Sequence, residues 1–256
     1  MTALIEAAGP LAALAPVAVL PAAVVFTRLS LLVFLMPGLG ARVVPSRVKL
    51  VIALALTALL TPIVAGDVPT GTALPLLLAG EAMAGAYLGF SFRVLVFALS
   101  IAGTIIAQAL SLSQIFGAGI SEDSSTTVST LLTLAAMTLF LTAGLHVEAF
   151  GLLLDSYEAF PPGLGGLSGG YAQAALRACA DGFAFGLSLA APFVLMNLAY
   201  NAVLGLASRA MPQLMVTFVG MPAITFAGLA LLAAGAGLIL TVWMDRMGAV
   251  FGAVLP

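Results

Sequence analysis

Long stretches free of any formal charge alternate with isolated charged residues along this chain. The charge-free stretches are 7–27, 29–41, 50–66, 68–80, 82–92, 94–121, 124–147, 182–208 and 210–244. Crossing a bilayer takes about 20 apolar residues, so 94–121, 124–147, 182–208 and 210–244 are long enough alone. The stretches 7–27 and 29–41 join across Arg28, 50–66 is marginal, and 68–80 joins 82–92 only by including Glu81. The pattern predicts an all-α, integral-membrane-type protein of six to eight hydrophobic helical segments. Uniform apolarity over such lengths fits helices, which satisfy their own backbone, better than the alternating strands of a barrel.

The segments are heavily punctuated. Pro37, Pro62, Pro75, Pro192, Pro212 and Pro222 lie in or beside apolar runs, and each removes a backbone donor. Broken helices persist at membrane depth only where protein or a water-filled path surrounds them, which implies many packed helices. GAYLG (Gly85, Gly89) and GFAFG (Gly182, Gly186) have the small-xxx-small spacing that lets helices approach closely. PPGLGGLSGG at 161–170 reads as a flexible connection within a longer one, 148–177.

One polar pattern interrupts the apolar texture. Ser100, Thr104, Gln108, Ser111 and Ile115 share a helical face, with Gln114 beside it. The stripe either lines an aqueous path or bonds to neighbouring helices. The next segment, IFGAGISEDSSTT, is too polar and glycine-rich to remain helical in hydrocarbon and reads as a hairpin tip between spans. A mobile loop at the end of a polar-lined path can act as a gate, which favours the aqueous reading. Asn197 and Asn201, four apart in another apolar span, form a second polar face or act as helix glue.

Composition sharpens the picture. The 256 residues are 62% hydrophobic and 7% charged, with mean hydropathy +1.23, against roughly 25% charged in a soluble domain. A net charge of −2 gives no footprint for nucleic acid. The single cysteine, Cys179, excludes an intrachain disulfide and is expected to be buried. Residues 1–30 do not read as a cleaved signal peptide, because no basic region precedes the apolar part. With seven spans, the Arg42, Arg47 and Lys49 loop falls in the cytoplasm and 121–127 outside, whereas Glu148, Asp155 and Glu158 argue the opposite way.

Candidate chemistry is sparse. His146 is the only histidine, too few for a metal site, and reads as a helix-end residue. GLSGG at 166–170 matches G-x-S-x-G, but its glycine loop lacks the strand–turn–helix setting and the histidine precedes the serine. No phosphate loop or dinucleotide fingerprint occurs, so no cofactor and no enzyme activity are expected. Glu81, inside a span, is a functional candidate by default. It needs another segment, another subunit or water, since Arg93 lies twelve residues away on the same run. Arg28 and Arg209 are expected to snorkel.

Four blocks carry a resemblance: Arg28 with LMPGLGARVVPSRVKLVIALALTALLTP (35–62), EAMAGAYLGFSFRVLVFALSIAGTIIAQALSLS (81–113), FLTAGLHVEAFGLLLDSYEAFPPG (140–163) and APFVLMNLAYNAVLGLASRAMPQLMVTFVGMPAITFAGL (191–229). They resemble the FliR family of the flagellar type III export apparatus and its injectisome counterparts. The most specific part is the C-terminal signature with Arg209, Pro212, Gln213, Phe218 and Pro222. Relatives often have Asp-Pro at the hairpin tip, where this chain has GAGISEDSSTT.

The resemblance implies one subunit of a helical export-gate pore, present in single copy with FliP and FliQ. It also implies FlhB around the cytoplasmic side and FlhA as export platform. Unfolded export substrates, rod proteins and membrane lipid are further expected contacts. Residues 1–180 would be FliP-like and 181–256 a FliQ-like hairpin, in the bacterial inner membrane at the flagellar basal body. Gln108, Ser111, Gln114, Ile115, Phe116, Gly117, Gly119, Glu122 and Asp123 would line or plug the closed pore, while Glu81, Asn197 and Asn201 make buried polar contacts. The rival readings are a small-solute secondary transporter, with Glu81 and the asparagines at its site, and an intramembrane enzyme.

Overall fold

A computed structural model describes residues 2–69, 73–110, 124–163, 170–210 and 216–253, with side chains throughout except at 2–18, Asp67, 124–126 and 216–221. Seven α-helices and one short 3₁₀ turn are found among these residues, and no strand. They are α1 (Thr2–Leu35), α2 (Ser46–Val64), α3 (Leu74–Ala109), α4 (Ser124–Thr142), α5 (Leu145–Ala159), α6 (Gly170–Ala210) and α7 (Val216–Ala253).

Helix ends fall where backbone chemistry demands them. Pro37 follows the end of α1, and Gly38 at φ +80° turns the chain. Pro45 caps α2 and Pro75 sits in the first turn of α3, where a missing N–H costs least. Gly144 at φ +77° separates α4 from α5, in a left-handed conformation that only glycine adopts freely. By contrast, α2, α6 and α7 run through Pro62, Pro192 and Pro222.

Three expectations from the sequence need correcting. Charges do not delimit α3, which continues through Glu81 and Arg93, so 68–80, 82–92 and 94–121 are not separate spans. Against the seven crossings assumed for orientation, four of the described helices, or five with the broken stretch 127–159 counted as one, are long and apolar enough to cross a membrane. Much of the 148–177 connection is helical, as α5 and the start of α6. Cys179 is exposed, because it lies on a face of α6 that nothing among the described residues covers.

The chain forms two compact units. Unit 1 comprises Met1–Arg93, Gly144–Arg177 and Val250–Pro256. Its core takes Val24, Leu29 and Leu32 from α1, Met36 from just beyond its end, Leu77, Leu88 and Phe92 from α3, and Ala149 and Leu153 from α5. The GAYLG glycines permit this packing. A Cβ on Gly85 would strike the Arg28 carbonyl, and one on Gly89 would lie 2.7 Å from Leu35 Cβ. Gly85→Val is expected to force α1 off α3, costing about 1–3 kcal/mol or more. The melting temperature of the detergent-purified protein measures this, and an unchanged value would contradict the packing.

Unit 2 comprises Val94–Ala143 and Ala178–Ala249. Here the GFAFG spacing works in the same way: a Cβ on Gly182 would strike Val94, and one on Gly186 would lie 2.6 Å from the Ala98 carbonyl. Gly103 brings α3 against the backbone of Ser129 in α4. Trp243, fully buried, donates from Nε1 to the Leu95 carbonyl at 2.9 Å.

Four described helices, α2, α3, α6 and Pro222–Ala253 of α7, are long and apolar enough to cross a membrane. The apolar stretch 127–159, broken at Gly144, makes a fifth if counted as one crossing. In the most apolar part of each, 61% of α3 is buried within the chain, but only 28% of α2, 28% of α6 and 22% of α7. Leu59, Leu195, Leu206 and Phe226 are among the apolar side chains left outside. The molecule is thus an all-α membrane protein with α3 as its most enclosed helix.

Candidate functional site

The strongest buried chemistry lies in unit 1. Arg28 and Glu81 are each only 1% exposed and form a two-pronged ion pair, Nε to Oε2 at 2.8 Å and Nη2 to Oε1 at 3.1 Å. Nη1 of Arg28 donates to both the carbonyl and the hydroxyl of Ser156 at 3.0 Å, and Nη2 donates to the Phe160 carbonyl at 2.9 Å. Its guanidinium carbon lies 3.9 Å from the centre of the Tyr157 ring. The fork of Arg28 is thereby satisfied by α1's neighbours α3 and α5 and by the residue that ends α5. A buried ion pair holds only when its remaining hydrogen-bonding capacity is met in this way.

Glu81 therefore meets another segment of its own chain, the first of the three possibilities left by the sequence. Arg28 does not snorkel, because its helix packs that face against α3 and α5. Ser156, Tyr157 and Phe160 escaped the sequence reading; they lie more than a hundred residues from Arg28, and no spacing rule connects them.

The polar stripe lies in unit 2 and divides into two parts. Ser100 Oγ shares a 2.9 Å hydrogen bond with Ser129 Oγ of α4, and Thr104 Oγ1 donates back to the Ser100 carbonyl at 2.9 Å. These hydroxyls serve helix packing and local backbone bonding. Gln108 is different: it is exposed, one residue before the end of α3. Ser111, Gln114, Ile115, Phe116, Gly117, Gly119, Glu122 and Asp123 lie outside the described residues.

On α6, Asn201 Nδ2 donates to the Asn197 carbonyl at 2.8 Å and to Asn197 Oδ1 at 2.6 Å. Asn201 is exposed and Asn197 half-buried, so the pair is satisfied locally on an outer face. Arg209 is exposed in the last turn of α6, where a cation suits the helix dipole. Pro222 is exposed within α7, whereas Pro212, Gln213 and the side chain of Phe218 lie outside the description. His146, the second residue of α5, is half-buried with Nδ1 unbonded. Among the described residues no cluster of His, Cys, Asp and Glu is suited to a metal ion.

Residues 19–250 match the family model described as bacterial export proteins, family 1. The chain is 34% identical over 233 residues to the flagellar biosynthetic protein FliR of Caulobacter vibrioides, covering 88% of this chain and 92% of that one. It is 33% identical over 210 residues to the FliR of Escherichia coli, covering 81% and 80%. Against the FliR of Aquifex aeolicus it is 29% identical over 212 residues, covering 81% of each. With nearly the whole chain matched and its apolar helices in place, this membrane protein belongs to the FliR family of bacterial export proteins, which serve flagellum biogenesis and protein export.

Proposed function

We propose that the chain is the single-copy gate subunit of the flagellar type III export channel, assembled with FliP and FliQ in the bacterial inner membrane at the basal body. FlhB and FlhA act on its cytoplasmic side, and unfolded export substrates pass along the pore towards the rod. Residues 1–180 provide the FliP-like part and 181–256 the FliQ-like hairpin. Gln108 and the segment that follows it to Asp123 line and plug the resting pore.

The observation that carries this reading is the exposure of apolar surface on α2, α6 and α7, beside a well-enclosed α3. Helices that leave most of their apolar area uncovered fit a chain solvated by neighbouring subunits as well as lipid. The exposed amide of Gln108, at the end of an otherwise apolar helix, supports a wet path at that point. Closing such a path is an equilibrium matter. Moving a gate from 1:99 to 99:1 requires about 5.5 kcal/mol of differential interaction, within reach of contacts made by a substrate or by the rod.

The small-solute transporter reading loses its support. Glu81 is saturated by Arg28, and the asparagines bond to each other, so neither is poised for a solute. Deleting part of 115–124 is expected to raise ion and small-solute leakage through the assembled gate. Unchanged conductance in a correctly assembled complex would overturn the plug assignment. Purification in mild detergent tests the subunit reading itself: one copy in a large hetero-oligomer is expected, and a stable lone monomer contradicts it.

A further inference from the structure

Positive charge collects in unit 1 where α2 begins. Arg42 and Arg47 are exposed, and neither has an ion-pair partner among the described residues. Lys49, in the first turn of α2, is buried. Its Nζ donates to the Gly40 carbonyl at 3.1 Å and lies 5.5 Å from the centre of the Phe34 ring. A carbonyl and a ring face stabilise an ammonium but leave its charge in place. No acidic residue occurs between Glu6 and Asp67 in the sequence, and the first turn of α2 has neither an acid nor a side-chain cap. The positive end of the helix dipole therefore adds to the field of the three cations.

Past these cations, the outer face of α2 is apolar along its whole length. Val48, Val51, Leu54, Leu59 and Ile63 are exposed on it, and no polar side chain is exposed between Val48 and Ile63. Thr57 and Thr61, the polar residues in that stretch, turn their hydroxyls onto the Ala53 and Thr57 carbonyls of the same helix. Such a face offers a water path or a polar partner nothing to bond. The 19 residues of α2 span about 28 Å, close to the roughly 30 Å hydrocarbon core of a bilayer. At the far end, Ile63 and Val64 lie beside Asp155 and Glu158, so charge marks both limits of the apolar face. A neighbouring protein would require no such match of length. A face of hydrocarbon thickness with unneutralised cations at one limit fits a lipid whose headgroup is negative.

We propose that the start of α2 binds an anionic phospholipid, with Arg42 and Arg47 holding the headgroup phosphate and the apolar face from Val48 to Ile63 receiving the acyl chains. Arginine suits the phosphate, because its fork donates two parallel hydrogen bonds. The buried charge of Lys49 favours a headgroup that is negative overall above one whose phosphate is balanced by a cation of its own.

The test takes the full chain, with whatever subunits co-purify in mild detergent, into phosphatidylcholine vesicles. These carry a small fraction of a lipid with a diazirine on one acyl chain, in phosphatidylglycerol or phosphatidylcholine form. Light expels nitrogen, the carbene inserts into a neighbouring C–H bond, and mass spectrometry maps the labelled peptide. The α2 peptide is expected to take label preferentially from the phosphatidylglycerol probe, by about fivefold if a single arginine acts at the anionic headgroup. Arg42→Gln with Arg47→Gln should bring the two probes level while α2 is still labelled. Equal labelling by both probes in the unaltered chain, or a preference unchanged in the double variant, overturns the site. So does an unlabelled α2 beside other labelled helices, which would show a protein covering this face. Should the double variant fail to insert, salt decides with the unaltered chain. A preference that falls steeply towards about 1 M, where screening acts within about 3 Å, supports the site, and one that stays constant refutes it.

Discussion

Arg28→Ala is expected to cost about 3–5 kcal/mol, the range for removing one partner of a buried ion pair. The alanine leaves Glu81 with an uncompensated charge at 1% exposure and leaves the hydroxyl of Ser156 and the carbonyl of Phe160 without their donor. It also empties the space against the Tyr157 ring. Because α1, α3 and α5 all meet at this side chain, the whole of unit 1 should soften rather than one helix end. Thermal denaturation of the detergent-purified protein measures the loss. Arg28→Met combined with Glu81→Leu should recover much of it, since an apolar replacement of comparable volume is often neutral. A loss for Arg28→Ala no greater than about 0.2–1 kcal/mol, the value for an exposed pair, would mean that the charges are not sealed from solvent.

Trp243→Ala should cost a similar amount in unit 2, about 3–5 kcal/mol for an aromatic-to-alanine change in a packed interior. The indole is fully buried among a core that includes Leu95, Leu99 and Met247, and its Nε1 reaches the Leu95 carbonyl. Trp243→Phe retains most of the ring's packing and removes that hydrogen bond, so its loss should be clearly smaller. Equal losses for the two variants would show that the hydrogen bond, not the volume, dominates at this position.

The two variants separate what the sequence made legible from what it did not. Helix content and membrane character were readable because apolarity is a property of local runs, and family membership because RAMPQLMVTFVGMP carries a specific pattern. The close approaches at Gly85 and Gly186 were readable as spacing, although only the structure identifies Arg28 and Ala98 as what lies opposite. Counting charges misjudged α3, since a paired acid such as Glu81 leaves the backbone ladder untouched and cannot end a helix. Ser100 and Thr104 looked the same as Gln108 in the sequence. Their partners, Ser129 and the Ser100 carbonyl itself, set them apart, and such pairings depend on tertiary position. The Arg28 cluster was invisible for the same reason: Ser156 and Phe160 are generic residues until three helices bring them to a guanidinium.

Thr225 has a further consequence. Its Oγ1 holds the carbonyl of Leu110 at 2.9 Å, and Ser129, five residues into α4, is hydrogen-bonded to Ser100 and pressed on Gly103. The chain is thus anchored on either side of 111–123. Both anchors are made by residues outside that stretch, so changes confined to 111–123 should leave them, and the fold around them, in place. That makes the stretch suitable for a fluorescent or spin label that would test the proposed pore role while the scaffold stays native.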